Sequence, residues 1–399
     1  MTIDSGPWRR VADGAGLLRP DGTTAATIFA EMSALATRTG SLNLGQGFPD
    51  EDGPVEVLEA AREAISAGAN QYPPGRGTPG LLAAIARHQR RFYGLDVDPD
   101  TEVLVTAGAT EALAATILAL TGPGDEVVTF EPYYDAYAGL VALSGARLVT
   151  VPLAWPSFAP DHERLRAAVS DRTRIILVND PHNPTGSTLD AATRGLIVEL
   201  AHRHDAVILT DEVYEHLRFE GPHVPISTLP GAWERTITVS SAGKTFNTTG
   251  WKIGWLVGPS SLVMAALTVK QFLTYVGGSP FQPAIARGLD LPDHVFETIA
   301  SSLRVKRDVL TAGLVSAGFD VSTPAGSYFV IADASPLGVD DAAAFCARLP
   351  EMAGVVGVPV TAFTSPANRS SYRSLVRFAY CKRLEVLDEA ASRLAGLRG

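Results

Sequence analysis

The sequence predicts an α/β fold in which a large domain carries a mostly parallel seven-stranded sheet between helical layers and a smaller α+β domain follows it. Three observations lead there. Seven short apolar, β-branched runs recur between residues 102 and 257, separated by helical patterns. Such runs read as strands buried on both faces, as in a parallel sheet under helices. After about Phe281 the pattern changes to longer helices and shorter strands. Finally, 399 residues with 46% hydrophobic and 19% charged can bury a large core and ordinarily divide into two domains.

Residues 1–45 are read as an N-terminal arm that helps complete the small domain, 46–285 as the large domain and 286–399 as the small C-terminal domain. The section from Gly45 to Gly80 fits neither pattern. Its Gly47-Phe48-Pro49, Pro73-Pro74-Gly75 and Arg76-Gly77 steps predict fixed turns, because proline restricts φ and glycine opens positive φ. A strand is predicted at 102–107, with an alanine-rich helix at 110–120. Further strands are expected at 126–130, 147–152, 174–178, 206–210, 236–240 and 253–257. Ser187 to Asp190 has capping-box spacing before a helix that runs toward His204. Beyond 281 the pattern predicts a helix over 293–316, strands near 328–332, 355–359 and 375–378, and a final helix over 383–394.

Composition narrows the partners. Lys plus Arg total 33 against 43 Asp plus Glu, a formal charge of -10 that argues against nucleic acid or an anionic membrane as partner. Two cysteines, Cys346 and Cys381, make no disulfide framework and lack metal-ligand spacing. Met1 to Arg10 lack a long apolar run, and no stretch reaches the roughly 18–20 apolar residues of a membrane span. The expectation is a soluble, cytoplasmic protein without a metal. Asn368-Arg369-Ser370 matches a glycosylation acceptor but reads as surface loop.

Several chemistry-bearing residues fall at strand ends. A buried aldehyde cofactor needs an amine, a carboxylate for its ring nitrogen and donors for its phosphate. Lys244 follows the 236–240 strand after small residues, in Ser240-Ser241-Ala242-Gly243-Lys244, where desolvation would favour a neutral, nucleophilic amine. Asp211 ends the 206–210 strand with Tyr214 three residues on, so both can converge on one ligand, or serve as a turn residue and a packing ring. Asn183 sits in the fixed loop from Asn179 to Gly186 and could donate to a phenolate-like oxygen. Ala109 and Thr110, between a strand and a helix, offer backbone amides to an anion, although Thr110 serves equally as a helix cap. Ser241 and Lys252 could join that cage. Either Tyr133 or Tyr134 could stack on a planar ring, and Arg377, drawn into an apolar strand, could grip a carboxylate.

These residues lie in longer motifs. Asn43-Leu44-Gly45-Gln46-Gly47-Phe48-Pro49-Asp50, Asn70-Gln71-Tyr72, Pro181 to Gly186, Thr210-Asp211-Glu212-Val213-Tyr214, Ser240 to Lys244, Thr249 to Trp255 and Val376-Arg377-Phe378 resemble the class I/II aminotransferases of the fold-type I pyridoxal-phosphate superfamily, over about residues 24–395. The resemblance implies pyridoxal 5'-phosphate held by Lys244 as a Schiff base, with pyridoxamine 5'-phosphate during turnover and Lys244 as the proton shuttle. It implies Asp211 at the pyridine nitrogen and Asn183 and Tyr214 at the ring hydroxyl. Ala109, Thr110, Ser241 and Lys252 would surround the phosphate, with Tyr133 stacked on the ring. Tyr72 would reach the cofactor of the other subunit of a homodimer, and Gly47, Asn183 and Arg377 would contact the substrate carboxylate. Lys252 stands where many relatives carry arginine; the kynurenine-aminotransferase branch also has lysine there.

Ala30 to Leu35, Gly47 to Gly53, Asn70 to Gly75 and Ser279 to Pro283 further resemble actinobacterial N-succinyldiaminopimelate aminotransferases, while kynurenine, glutamine and methionine aminotransferases share much of this frame. The implied activity is amino transfer between amino acids and oxo acids. β-Elimination of cysteine S-conjugates is the competing reaction, and a non-enzymatic binding module the competing class.

Overall fold

A computed structural model describes residues 6–398. Its centre is a seven-stranded sheet in the spatial order Val103–Ala107, Ile253–Val257, Thr236–Ser241, Val207–Asp211, Thr173–Asn179, Glu126–Glu131, Arg147–Pro152. Only Ile253–Val257 runs against the rest, being antiparallel to both neighbours. The other pairings in the sheet are parallel.

Alternation along the strands explains the layering. Val128, Ile176, Val178 and Ile208 pack on one face with Leu196, Ile197 and Leu200 of the helix Ala191–Arg203. Their sequence neighbours Val127, Ile175, Leu177 and Leu209 turn to the opposite face, against Leu113 and Ile117 of Gly108–Leu120 and Tyr137 and Val141 of Ala136–Ser144. Successive strand side chains point to opposite faces, so an unbroken apolar run is buried only when both faces are covered. A parallel sheet also gathers the carboxyl ends of its strands along one edge, the usual location of ligands in such folds. Ala107, Asn179, Asp211 and Ser241 all end strands there.

A second, antiparallel sheet joins Val358–Pro359, Leu375–Ala379, Phe329–Asp333 and Asp320–Val321, in that order. The 25-residue helix Asp293–Ala317 and the helix Leu384–Ala395 pack together beside it. The helix Ile28–Thr39 starts at a Thr27 side-chain cap and stops at Gly40, whose φ of 62° suits glycine. Its Met32 and Ala36 join Val356, Val358 and Phe363 in one cluster. The short helix Pro7–Gly14 instead lies on Ala136–Ser144, where Arg10 Nε donates to the Ala142 carbonyl at 2.9 Å.

Two local readings change. The section expected to be turns contains the helix Val55–Ser66, which buries Val57, Ala61 and Ala64 on a single stripe and starts after Pro54; the surrounding Pro and Gly steps mask that short 3.6-residue period. The strand expected at 355–359 is two. Val355–Val356 pairs in parallel with Leu42–Asn43, and Val358–Pro359 pairs with Leu375–Ala379. Gly357 lies between them, where a Cβ would come within 2.7 Å of Phe378 and Val376.

Candidate active site

A cleft of about 270 Å3 opens at the carboxyl edge of the large sheet and is closed on its far side by Arg377 and Phe329 of the small one. Lys244 enters it from the four-residue helical turn Ala242–Thr245, begun by Ser241, whose hydroxyl accepts from the Gly243 amide at 3.3 Å. Lys244 Nζ donates to the Tyr328 hydroxyl at 2.8 Å. Loss of water lowers its pKa to about 8, with Asp211 partly opposing that loss and Lys252 and Arg377 adding to it. A usable fraction of the amine is therefore neutral near neutral pH.

Asp211 faces the same space. Its Oδ2 accepts from the Tyr137 hydroxyl at 2.6 Å, while its Oδ1 is buried without a hydrogen-bond partner among the described residues. Burial raises its pKa to about 6, against the Tyr137 bond, which lowers it. A buried carboxylate oxygen with no donor costs about 1–3 kcal/mol or more, so this one calls for a donor from a ligand. Burial likewise raises the pKa of Tyr214, whose ring stands edge-on to Tyr328 at 5.2 Å.

The loop after Thr173–Asn179 is pinned by its own asparagine. Asn179 Nδ2 donates to the Asp211 carbonyl at 2.6 Å, and Asn179 Oδ1 accepts the Asn183 amide at 2.6 Å. Asn183 Oδ1 in turn accepts from Arg377 Nη1 at 3.0 Å, and Arg377 Nη2 donates to the Gly45 carbonyl at 2.8 Å. Arg377 is 1% exposed and lies over the rings of Phe329 and Phe363 at 4.1 and 4.5 Å. Its Nε is unpartnered, and burial lowers its pKa to about 10, with the Asp135 carboxylate among the charges that oppose this. A buried guanidinium with an unpartnered Nε is a receptor for a carboxylate.

The opposite end suits a phosphate. The helix Gly108–Leu120 begins at the cleft with the amides of Ala109 and Thr110, beside Ser241 and Lys252. Two glycines make this approach possible. Gly108 has φ +74°, and a Cβ there would sit 3.0 Å from Lys252 Nζ; a Cβ on Gly254 would sit 2.5 Å from the Gly108 carbonyl carbon.

Of the residues singled out from sequence, Gly47, Ala109, Thr110, Asn183, Asp211, Tyr214, Ser241, Lys244, Lys252 and Arg377 come together around this cleft. Tyr133 does not. The cleft wall is Tyr134, whose hydroxyl shares a hydrogen bond with Thr110, while Tyr133 lines a separate cavity beside the N-terminal arm. Both tyrosines follow the end of the strand, Tyr134 lines both cavities and Tyr133 only the second, and the Tyr133 backbone amide is held by the Phe363 carbonyl at 2.9 Å. Tyr72 is 83% exposed and stands edge-on to Tyr275 at 5.8 Å, outside the cleft of its own chain. Sequence reasoning missed Tyr137, Tyr328 and Phe29, and gave Asn179 no role beyond opening its loop. Tyr137 lies three residues after Tyr134, in the first turn of the helix Ala136–Ser144.

Residues 39–394 match the sequence profile of the aminotransferase class I and II family. The chain is 53% identical over 389 residues to a probable N-succinyldiaminopimelate aminotransferase of Mycobacterium tuberculosis, covering 95% of this chain and 97% of that one. It is 37% identical over 391 residues to kynurenine–oxoglutarate transaminase 3 of Mus musculus, covering 91% and 86%. A solved structure of N-succinyldiaminopimelate aminotransferase from Mycobacterium tuberculosis superposes with a TM-score of 0.91 at 54% identity, over 94% of this chain and 97% of that one.

Proposed function

The chain belongs to the class I and II aminotransferases, pyridoxal-phosphate enzymes, and within that family we propose that it moves an amino group between glutamate and N-succinyl-2-amino-6-oxopimelate, forming N-succinyl-LL-2,6-diaminopimelate on the way to diaminopimelate and lysine. The observation that carries this substrate choice is the 53% identity across 95% of the chain with the mycobacterial relative.

The residues present fit the cofactor. The unpartnered Asp211 Oδ1 can accept a hydrogen bond from a protonated ring nitrogen, and the glycine-lined helix start can take a dianion. Tyr214 and Asn183 would hold the ring hydroxyl, Tyr134 would cover a ring face, and Ala109, Thr110, Ser241 and Lys252 would hold the phosphate. When bound, pyridoxal phosphate supplies the aldehyde that captures the amine and the conjugated ring that takes up the electron pair of a broken bond. Lys244, whose pKa burial lowers to about 8, would take the proton from the substrate α carbon and deliver it to the carbon through which the cofactor carries the amino group. Arg377, with Asn183 and Gly47, fixes the α-carboxylate, which sets the reacting bond in one orientation before the proton moves.

A panel of donors and acceptors tests the substrate. Glutamate with the succinylated ketone is expected to give the highest kcat/KM among glutamate, glutamine, methionine and kynurenine pairings. An amine donor lacking the α-carboxylate should be at least about 100-fold poorer, the loss of a charge-assisted bidentate contact. Negligible turnover of the ketone beside efficient use of kynurenine would transfer the assignment to the second reading, which the mouse relative favours. Pyruvate released from a cysteine conjugate without any acceptor would identify β-elimination. The activity is expected in the soluble cytoplasmic fraction; among the described residues no helix is long and apolar enough to cross a membrane.

The working unit in this reading is a homodimer. Tyr72, Phe272 and Tyr275 expose 83%, 81% and 48% of their surface, with Tyr72 edge-on to Tyr275, exposed rings suited to burial against a second copy. Tyr72 would then reach the partner's phosphate site. Sedimentation of the holoenzyme is expected to give twice the chain mass, and a monomer of full activity would overturn this.

A further inference from the structure

We propose that the Tyr328 hydroxyl is the positioning partner of the Lys244 amine whenever that amine is free, holding it by a bond that leaves the nitrogen lone pair directed into the cleft. The hydroxyl sits between two groups. Lys244 Nζ donates to it at 2.8 Å, and it donates to the Gly47 carbonyl at 2.5 Å. Tyr214 offers its own oxygen as a second acceptor. A phenol has one proton and spends it on one of these acceptors, so toward lysine it can only accept. An acceptor binds an N–H of the amine and leaves the lone pair unengaged; a donor in the same place would occupy the lone pair and suppress proton transfer.

The ring is held for this position. Ser327, just before it, adopts a left-handed φ of 62°, a conformation that costs a non-glycine residue energy. The backbone around it is secured by Ser327 N–H to the Leu217 carbonyl at 2.8 Å and Tyr380 N–H to the Tyr328 carbonyl at 2.9 Å. The ring itself packs edge-on against Tyr214 and Phe329 at 5.2 and 4.8 Å. Through Gly47, the same hydroxyl ties the amine to the segment proposed to receive the substrate carboxylate, so carboxylate binding and amine placement share one hydrogen-bonded chain.

The inference rests on the aminotransferase reading but not on the acceptor's identity, because a half-reaction with any competent donor reports it. In the cofactor-free protein, the charged and titratable groups facing Lys244 are Asp211, Lys252, Arg377, Cys381, Tyr214 and Tyr328. Tyr328→Phe removes one acceptor from the ammonium and leaves the others. The Lys244 titration midpoint, followed by the pH dependence of its modification by an amine reagent in the apoprotein, is expected to fall by about one pH unit. In the holoenzyme, kcat for the glutamate half-reaction is expected to fall about 10- to 100-fold with a larger isotope effect from α-deuterated glutamate and little change in KM. An unchanged midpoint, or a loss confined to KM and thermal stability, would overturn the proposal. If Tyr328→Phe folds poorly, incorporation of 3-fluorotyrosine at 328 weakens the acceptor without removing it; a smaller midpoint shift in the same direction supports the proposal, and none refutes it.

Discussion

Lys244→Ala is expected to lower kcat by at least about four powers of ten, because one substitution removes both the covalent tether of the cofactor and the base that moves the α proton. Borohydride treatment followed by mass analysis should attach cofactor to the parent protein and not to the variant. Added methylamine or ethylamine should restore part of the rate, since what is missing is a small amine in a pre-formed space between Asp211 and Tyr328. Folding should survive. Lys244 has a pKa lowered from 10.5 to about 8 by burial, so the folded apoprotein binds fewer protons than the unfolded chain between those values. The buried ammonium therefore costs stability in full below about pH 8, on the order of 3 kcal/mol, and the cost fades as pH rises to 10.5. Alanine removes that cost along with the Tyr328 bond. The apo variant is accordingly expected to be no less stable than the parent at pH 7, with its advantage shrinking toward pH 10. A variant that melts well below the parent at pH 7 would mean that Lys244 is a structural group.

The sequence made the sheet and half of the cleft legible for one physical reason. A strand buried on both faces must be apolar throughout, so Ile175 to Val178 and Val207 to Leu209 identify themselves, and the polar residue that ends each run, Asn179 or Asp211, identifies the strand's functional end. Lys244, Thr110 and Asn183 were found because they stand in the same place relative to their own strands. Residues that act across the chain carry no such mark. Tyr328 meets Lys244 over 84 positions and Tyr137 meets Asp211 over 74, and neither interval leaves a trace in local spacing. Tyr133 and Tyr134 show the finest limit: composition places a tyrosine at the ring, but nothing in the local spacing selects Tyr134, the one that lines the cleft. The helix Val55–Ser66 was hidden for the converse reason, its short apolar stripe lying between turn-forming prolines and glycines.

Asp211→Asn separates charge from shape at the other pole of the site. The amide can still accept from Tyr137 and fill the same volume, so cofactor should remain tethered to Lys244, yet no negative charge remains to keep a proton on the ring nitrogen. The expected loss is about 10²- to 10³-fold in kcat, corresponding to about 3–4 kcal/mol for one desolvated charge partner, with KM for glutamate changing much less. The pH dependence gives an independent reading. In the apoprotein, burial raises the Asp211 pKa from 3.8 to about 6, so its protonated form is favoured by folding; that contribution is complete below pH 3.8 and is lost as pH rises through 6. At pH 7 the parent apoprotein therefore carries a buried carboxylate with one oxygen unpaired, and the asparagine variant should be the more heat-stable of the two without cofactor. Cofactor supplies the missing donor to Oδ1, so saturation should stabilise the parent more than the variant. Parent affinity for pyridoxal phosphate should weaken as pH falls through 6, where Asp211 becomes protonated, relative to a variant that has no such group. If both proteins show the same pH dependence and the same gain in melting temperature on cofactor binding, Asp211 is not the ring-nitrogen partner, and its unpaired oxygen must answer to another donor.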